Sequence, residues 1–117
     1  TPVSRGGEAT WHGPGQLVAY PIFRIRSVLG FLRHLELSVI QALTDFTGLP
    51  PGTFLTREGL TGVWTREGKK IASIGIAVRH WVSYHGVAMN VVNDLTPFYD
   101  ISPCGLNPAI MTRLKDL

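Results

Sequence analysis

The apolar residues Val28, Leu32, Leu35, Val39, Leu43 and Phe46 recur at steps of three and four, the stripe of an amphipathic helix. Ser27 stands where an N-cap is needed, and Gly48 followed by Pro50-Pro51 ends the run. A helix from Ser27 to Gly48 is therefore predicted, and its role is packing. It stands among segments that read as strands. A single long helix with one apolar stripe must lie on something, and the strands on either side supply the sheet.

Before the helix, Ser4 to Gln16 is rich in glycine, with Arg5-Gly6-Gly7 and then His12-Gly13-Pro14-Gly15. Such density marks backbone that turns sharply or approaches a ligand closely. Leu17 to Ile25 reads as a strand, and Pro21 inside it argues for an edge or a bulge. After the helix, Leu60 to Thr65 and Lys70 to Arg79 flank a turn-like Glu67-Gly68-Lys69, so Gly62 to Val78 is a predicted β-hairpin. Trp81 to Val92 adds one or two strands, interrupted at His85-Gly86. Ile101 to Gly105 is a tight turn presenting a thiol, and Met111 to Leu117 is expected to begin a final helix. The expectation is one α+β domain over residues 1–117, with a largely antiparallel sheet and packed helices.

Composition narrows the function. Apolar residues make up 44% of the 117 and charged residues 16%, the balance of globular material. A mean hydropathy of +0.15 implies extensive burial, partly against segments outside this chain. The net charge of +3 is scattered, too weak an imprint for nucleic acid and compatible with docking an acidic protein. One cysteine excludes an intrachain disulfide and a thiolate-rich metal site. The longest apolar run, Ile71 to Val78, carries Ser73 and Gly75 and is too short to cross a membrane. No signal-peptide pattern starts at Thr1. The chain is expected to be an interior segment of a monomeric cytoplasmic protein, with no nucleic-acid or membrane partner.

Among chemistries, nucleotide binding fails first. Gly62 to Lys70 resembles a phosphate loop, but five residues separate Gly62 from Gly68 where four are required, and Lys70 stands where Ser or Thr should hold magnesium. Gly13-Pro14-Gly15 lacks the third glycine of a dinucleotide fingerprint. None of His12, His34, His80 and His85 makes a pair at helical metal-ligand spacing, so no metal is expected. Cys104 is different. A lone cysteine is more often a small buried hydrophobe, yet Pro103 fixes its approach and Gly105 removes bulk where a substrate carbonyl would sit. A free thiol is only a few per cent thiolate at neutral pH and needs a base or a positive neighbour. His12, His85 and Lys70 are the candidates, and spacing alone does not choose among them.

Arg5 to Pro21, reading RGGEATWHGPGQLVAYP, resembles the signature stretch of the lipoyl(octanoyl) transferases, relatives of the lipoate and biotin protein ligases. Two further blocks agree in order: Lys70-Ile71-Ala72-Ser73-Ile74-Gly75 with Tyr84-His85-Gly86-Val87-Ala88-Met89-Asn90-Val91, and Pro103-Cys104-Gly105. Together they span nearly the whole chain. The resemblance implies the ligase fold and a Cys104/Lys70 dyad, with no cofactor. It implies an octanoyl group taken from octanoyl-acyl carrier protein and passed to lipoyl domains of 2-oxoacid dehydrogenases and the glycine cleavage H protein. On this reading Lys70, desolvated beside Ile71, Ile74 and the glycine-rich loop, takes the thiol proton. Backbone N–H groups of Gly75 and Gly86 are candidate donors to the oxyanion, though both glycines equally fit relief of crowding in a twisted sheet. His12 and His85 are expected to line the pocket, and Arg5, Gly6 and Gly7 to shape the loop over the acyl chain. Asn90 is expected to hold a loop.

Two departures accompany the resemblance. Family members are considerably longer, which implies truncation at both ends, and Arg113 stands where the family usually has the serine of a Thr-Ser-Leu. Two rivals remain distinct in kind: an ATP-dependent lipoate-ligase relative, disfavoured by the Pro-Cys-Gly nucleophile, and a non-catalytic acyl-carrier-binding protein.

Overall fold

The structure is a computed structural model that describes residues 12–97 and 111–117. Five strands form one sheet: β1 (Gln16–Ala19), β2 (Phe54–Arg57), β3 (Leu60–Thr65), β4 (Lys70–Arg79) and β5 (Val82–Asn90), in the order β1-β5-β4-β3-β2. Every neighbouring pair is antiparallel. Among the described residues one α-helix, α1 (Val28–Thr47), crosses one face.

The helix starts and stops as its sequence predicts. Ser27 is extended and its Oγ accepts the Gly30 N–H at 3.1 Å. Gly48 adopts φ 69° and donates its N–H to the Thr44 carbonyl, a left-handed ending in which glycine carries no steric penalty. Leu32, Leu35 and Val39 pack on Ile74, Ile76 and Val87, while Val39, Ile40 and Leu43 pack with Phe54, Val63, Ile71 and Ala72. Burying Leu43 alone is worth about 2–3 kcal/mol. The predicted stripe fails at its end, because Phe46 is 81% exposed. A straight helix over a twisted sheet lets its contact line drift around the cylinder. By the last turns that line runs through Glu36, Ile40 and Leu43, leaving Phe46 outside it.

Three sequence expectations need correction, and one strand was not foreseen. The strand expected over Leu17 to Ile25 stops at Ala19; beyond Pro21 the chain rejoins β5 at an isolated Arg24–Val82 bridge, and the Phe23 N–H donates to Ser83 Oγ. Pro21 has no N–H to continue a ladder. The short β2 ahead of Leu60 carries no turn signal that separates it from the Pro-Pro-Gly loop. The expected break at His85-Gly86 is absent: β5 is continuous and pairs with β4 from Ala72–Met89 to Arg79–Val82. Met111 to Leu117 forms a bridge and a single 3-10 turn at Leu114–Asp116 instead of a helix.

The β4–β5 turn is closed by the Arg79–Val82 pair, with His80 at φ 52° and Trp81 at φ 63°. Two left-handed central residues match the twist of a hairpin, but the geometry favours Asn-Gly. Non-glycine residues held there cost roughly 1–2 kcal/mol each. Trp81 is exposed and recovers little of this by packing. The double substitution His80→Asn, Trp81→Gly is therefore expected to stabilise the fold by about 1–2 kcal/mol, read as a higher urea midpoint with an unchanged slope.

Candidate functional site

Lys70 begins β4, and a bulge decides which way it points. Val63 pairs with Ala72, but the next residue of β3, Trp64, pairs with Lys70, so β4 carries one extra residue, Ile71. Directly paired residues share a face, and neighbours along a strand alternate. Val63 and Ala72 face α1, which puts Trp64 and Lys70 on the opposite face. Without the bulge, Lys70 and Ala72, two residues apart, would share the helix side. The lysine thus leaves the core yet stays only 2% exposed.

What surrounds it explains that burial. The ammonium nitrogen is 5.7 Å from the centre of the Trp64 ring. Gly62 has φ 127°, and a β-carbon there would lie 2.8 Å from Lys70 Cε and 2.6 Å from the Ala72 carbonyl. The lysine stem thus occupies space that any other residue at 62 would fill. Between the Leu55–Trp64 and Arg57–Leu60 pairs the register of β2 and β3 slips. Gly62 donates its N–H instead to Glu36 Oε2 at 3.0 Å. Glu36 is 1% exposed and its other oxygen takes Arg33 Nη1 at 2.7 Å.

On the other side of Lys70, β5 has ended. Ala72 pairs with Met89, so Asn90 is the last residue of β5, and Met111 takes up the ladder beside Lys70 as a parallel bridge. Thr112 N–H donates to the Lys70 carbonyl at 2.9 Å. Asn90 is buried and joins three segments: it donates to the Thr112 carbonyl and accepts from Gln16 Nε2 and Asn93 Nδ2. Gln16 Oε1 lies 2.9 Å from His12 Nδ1. A hydrogen-bonded line therefore runs from the glycine-rich entry through Asn90 to the strand residue that carries the amine. Arg113 donates to the Asn93 carbonyl and to Asp116, binding the same segments together. Asp94 is exposed; the Thr96 N–H donates to it and holds its carboxyl below the ordinary value.

The expected site residues divide. Lys70, His12, Gly75, His85 and Gly86 are described; Cys104, Arg5, Gly6 and Gly7 lie outside the described residues. Gly75 and Gly86 are paired across β4 and β5. His85 is left-handed in mid-strand, φ 62°, and its ring is 4.8 Å from that of Tyr84; regular neighbours would face apart. Ile74 lies on the helix side, against Phe31, Leu32 and Leu35, apart from Lys70. An apolar cavity of about 320 Å³ between α1 and β1, lined by Leu17, Pro21, Leu35, Val39, Val87 and Met89, is also on that side. Sequence reasoning missed Gly62, Trp64 and Glu36. A glycine inside a strand pattern and a carboxylate inside an apolar stripe were the available signals.

An antiparallel sheet with a helix on one face is the arrangement that the ligase-type resemblance implies. The chain belongs to the family described as the lipoyl protein ligase A/B catalytic domain, which it matches over residues 2–117. Within that family it is similar to octanoyltransferases. It is 53% identical over 116 residues to a probable octanoyltransferase of Pyrobaculum calidifontis, covering 98% of this chain and 49% of that protein. It is 47% identical over 120 residues to an octanoyltransferase of Pelobacter propionicus, covering 98% and 54%. To a chloroplastic octanoyltransferase of Arabidopsis thaliana it is 48% identical over 117 residues, covering 97% and 40%. The chain thus spans about half the length of these relatives.

Gly86 has a structural demand of its own. A β-carbon there would fall 2.0 Å from the Ala19 carbonyl oxygen and 2.9 Å from Pro21 Cδ, both on the chain leaving β1. At Gly59, by contrast, nothing lies within 4 Å. Gly86→Ala is expected to destabilise the protein by about 3 kcal/mol, as overpacking against backbone does. Gly59→Ala at φ 76° should cost only about 1–2 kcal/mol of conformational strain. Equal urea midpoints for the two variants would remove the crowding account of Gly86.

Proposed function

We propose that this chain is the catalytic domain of an octanoyltransferase that moves an octanoyl group from acyl carrier protein to a lysine of lipoyl domains through a thioester on Cys104. The observation that carries the reading is the shielded Lys70 on the face away from α1, together with the return of the chain beside it at Met111. Met111 follows Cys104 by seven residues, a tether of at most roughly 23–25 Å. The chain leaves β5 at Asn90, whose side chain is bonded to Thr112. Both ends of the segment bearing Cys104 are thus anchored around the lysine, and its length lets the thiol reach the amine.

The chemistry follows from those two groups. Lys70 Nζ takes the proton from Cys104 Sγ, and the thiolate attacks the acyl carbon of the donor thioester. The tetrahedral adduct collapses with loss of the carrier's thiolate, which takes the proton back from Lys70. The acceptor amine then attacks the Cys104 thioester, Cys104 departs as thiolate, and the amine's surplus proton returns to the sulfur through Lys70. The first exchange trades one thioester for another and is near thermoneutral. The second trades a thioester for an amide and runs downhill, so no separate activation of the acid is required. A left-handed His85 in mid-strand is backbone strain of the kind that active sites keep despite its cost.

Intact-mass measurement after incubation with octanoyl-acyl carrier protein tests this. One octanoyl adduct is expected, absent in Cys104→Ser and formed at least about a hundredfold more slowly in Lys70→Ala, the scale of general-base loss. No adduct on the intact protein, together with ATP-dependent acyl-adenylate formation, would overturn the transferase in favour of a ligase. A Lys70→Ala protein that acylates at the normal rate would take Lys70 out of the mechanism and leave Cys104 in it.

A further inference from the structure

The geometry points to Trp64 as the positioning residue for Lys70, its indole face stabilising the ammonium that forms when the amine takes the thiol proton. This inference rests on the role proposed above for Lys70. Both side chains are all but sealed from solvent, at 1% and 2% exposure. The nitrogen stands 5.7 Å from the ring centre, inside the roughly 6 Å over which a cation is held by an aromatic face. Burial matters because water no longer competes for the charge, and such contacts are strongest when desolvated.

A second observation indicates why the residue is tryptophan. Its Nε1 is buried and has no hydrogen-bond acceptor among the described residues. An orphaned donor in the interior is a cost that a phenylalanine would avoid. What indole offers in return is the strongest cation-binding face of the aromatic side chains. Arg57, on the strand at the other side of β3, has its guanidinium carbon 5.2 Å from the same ring. The ring is thus placed between basic side chains from both neighbouring strands, one exposed and the other buried.

The third element is Gly62. With no side chain there, Lys70 Cε and Nζ fill its place, 2.8 Å and 3.6 Å from where a β-carbon would be. The aliphatic stem is confined over Gly62 while the head meets the indole. Together they give the amine one direction. Proton transfer from Cys104 Sγ to Lys70 Nζ creates a thiolate and an ammonium, and the π-face acts on the second of these. No atom is gained or lost, and the proton returns when the carrier thiol leaves.

The test is a series of mono-, di- and trifluorotryptophan introduced at position 64 alone by stop-codon suppression, in otherwise native protein. Fluorine withdraws electron density from the ring face with little change in shape, so folding is preserved. Single-turnover octanoylation at saturating donor is expected to slow stepwise, to about tenfold at the trifluoro ring, with KM for the donor held within about twofold. In a Lys70→Ala background the series should be flat, because the face then has no ammonium to act on. A flat series in the presence of Lys70, or an equal slope without it, would overturn the role of Trp64. If Lys70→Ala by itself acylates normally, the base assignment has failed and Trp64 falls with it. A slow Lys70→Ala with a flat fluorine series removes Trp64 alone.

Discussion

One extra residue in a strand governs the arrangement around Lys70. The bulge at Ile71 turns Lys70 off the helix-facing side of the sheet and sets it opposite Trp64. A strand of ordinary register would send the lysine into the apolar layer under α1, among Leu43, Phe54 and Val63. There its charge would lie among apolar side chains, where burial is costly. With the bulge, Ala72, Ile74 and Ile76 still line the helix side, so the core is intact while the polar residue leaves it. Bulges are common next to active sites for this reason: they re-aim one side chain without disturbing the rest of a strand.

The surroundings of that bulge are held by buried polar groups whose partners come from distant parts of the chain. Glu36 closes the open N–H of Gly62 from the helix, and Asn90 ties β1, β5 and the returning Thr112 together. In an interior of low polarity each bond is stronger than it would be in water, and each unmade one is costly. These groups therefore specify one geometry more than they add to stability. The salt bridge of Glu36 illustrates the point. Its partner Arg33 is half exposed, so the pair contributes little by itself, whereas the Gly62 bond lies wholly inside.

Legibility in the sequence followed the range of the interaction. The ends of α1 are encoded within a few residues, by Ser27 reaching Gly30 and by Gly48 accepting a left-handed turn. The β3–β4 hairpin was likewise readable, since Gly68 in its turn takes φ 85°. The errors came where distant elements decided. Phe46 belongs to the periodic stripe but not to the contact line set by the sheet's twist. His85-Gly86 looks like an interruption, yet unbroken pairing with Ala72 to Arg79 of β4 carries the strand through it. Met111 to Leu117 has the composition of a helix start, but its backbone is drawn into the ladder beside Lys70 and Val91.

The sequence by itself determined an α+β architecture with a long helix over a largely antiparallel sheet, and the resemblance of its motifs to those of the lipoyl protein ligase A/B catalytic domain family. Those follow from periodicity, from local capping and from motif order, all of which are written along the chain. Only the tertiary structure decided that Lys70 faces away from the helix, that Trp64 and Gly62 surround it, and that Glu36 in an apolar stripe serves a backbone N–H on another element. A bulge arises from the pairing of two strands, and a seat for an amine arises from three. Neither has a signature in the order of residues on one strand, because the partner atoms arrive only when the sheet is assembled.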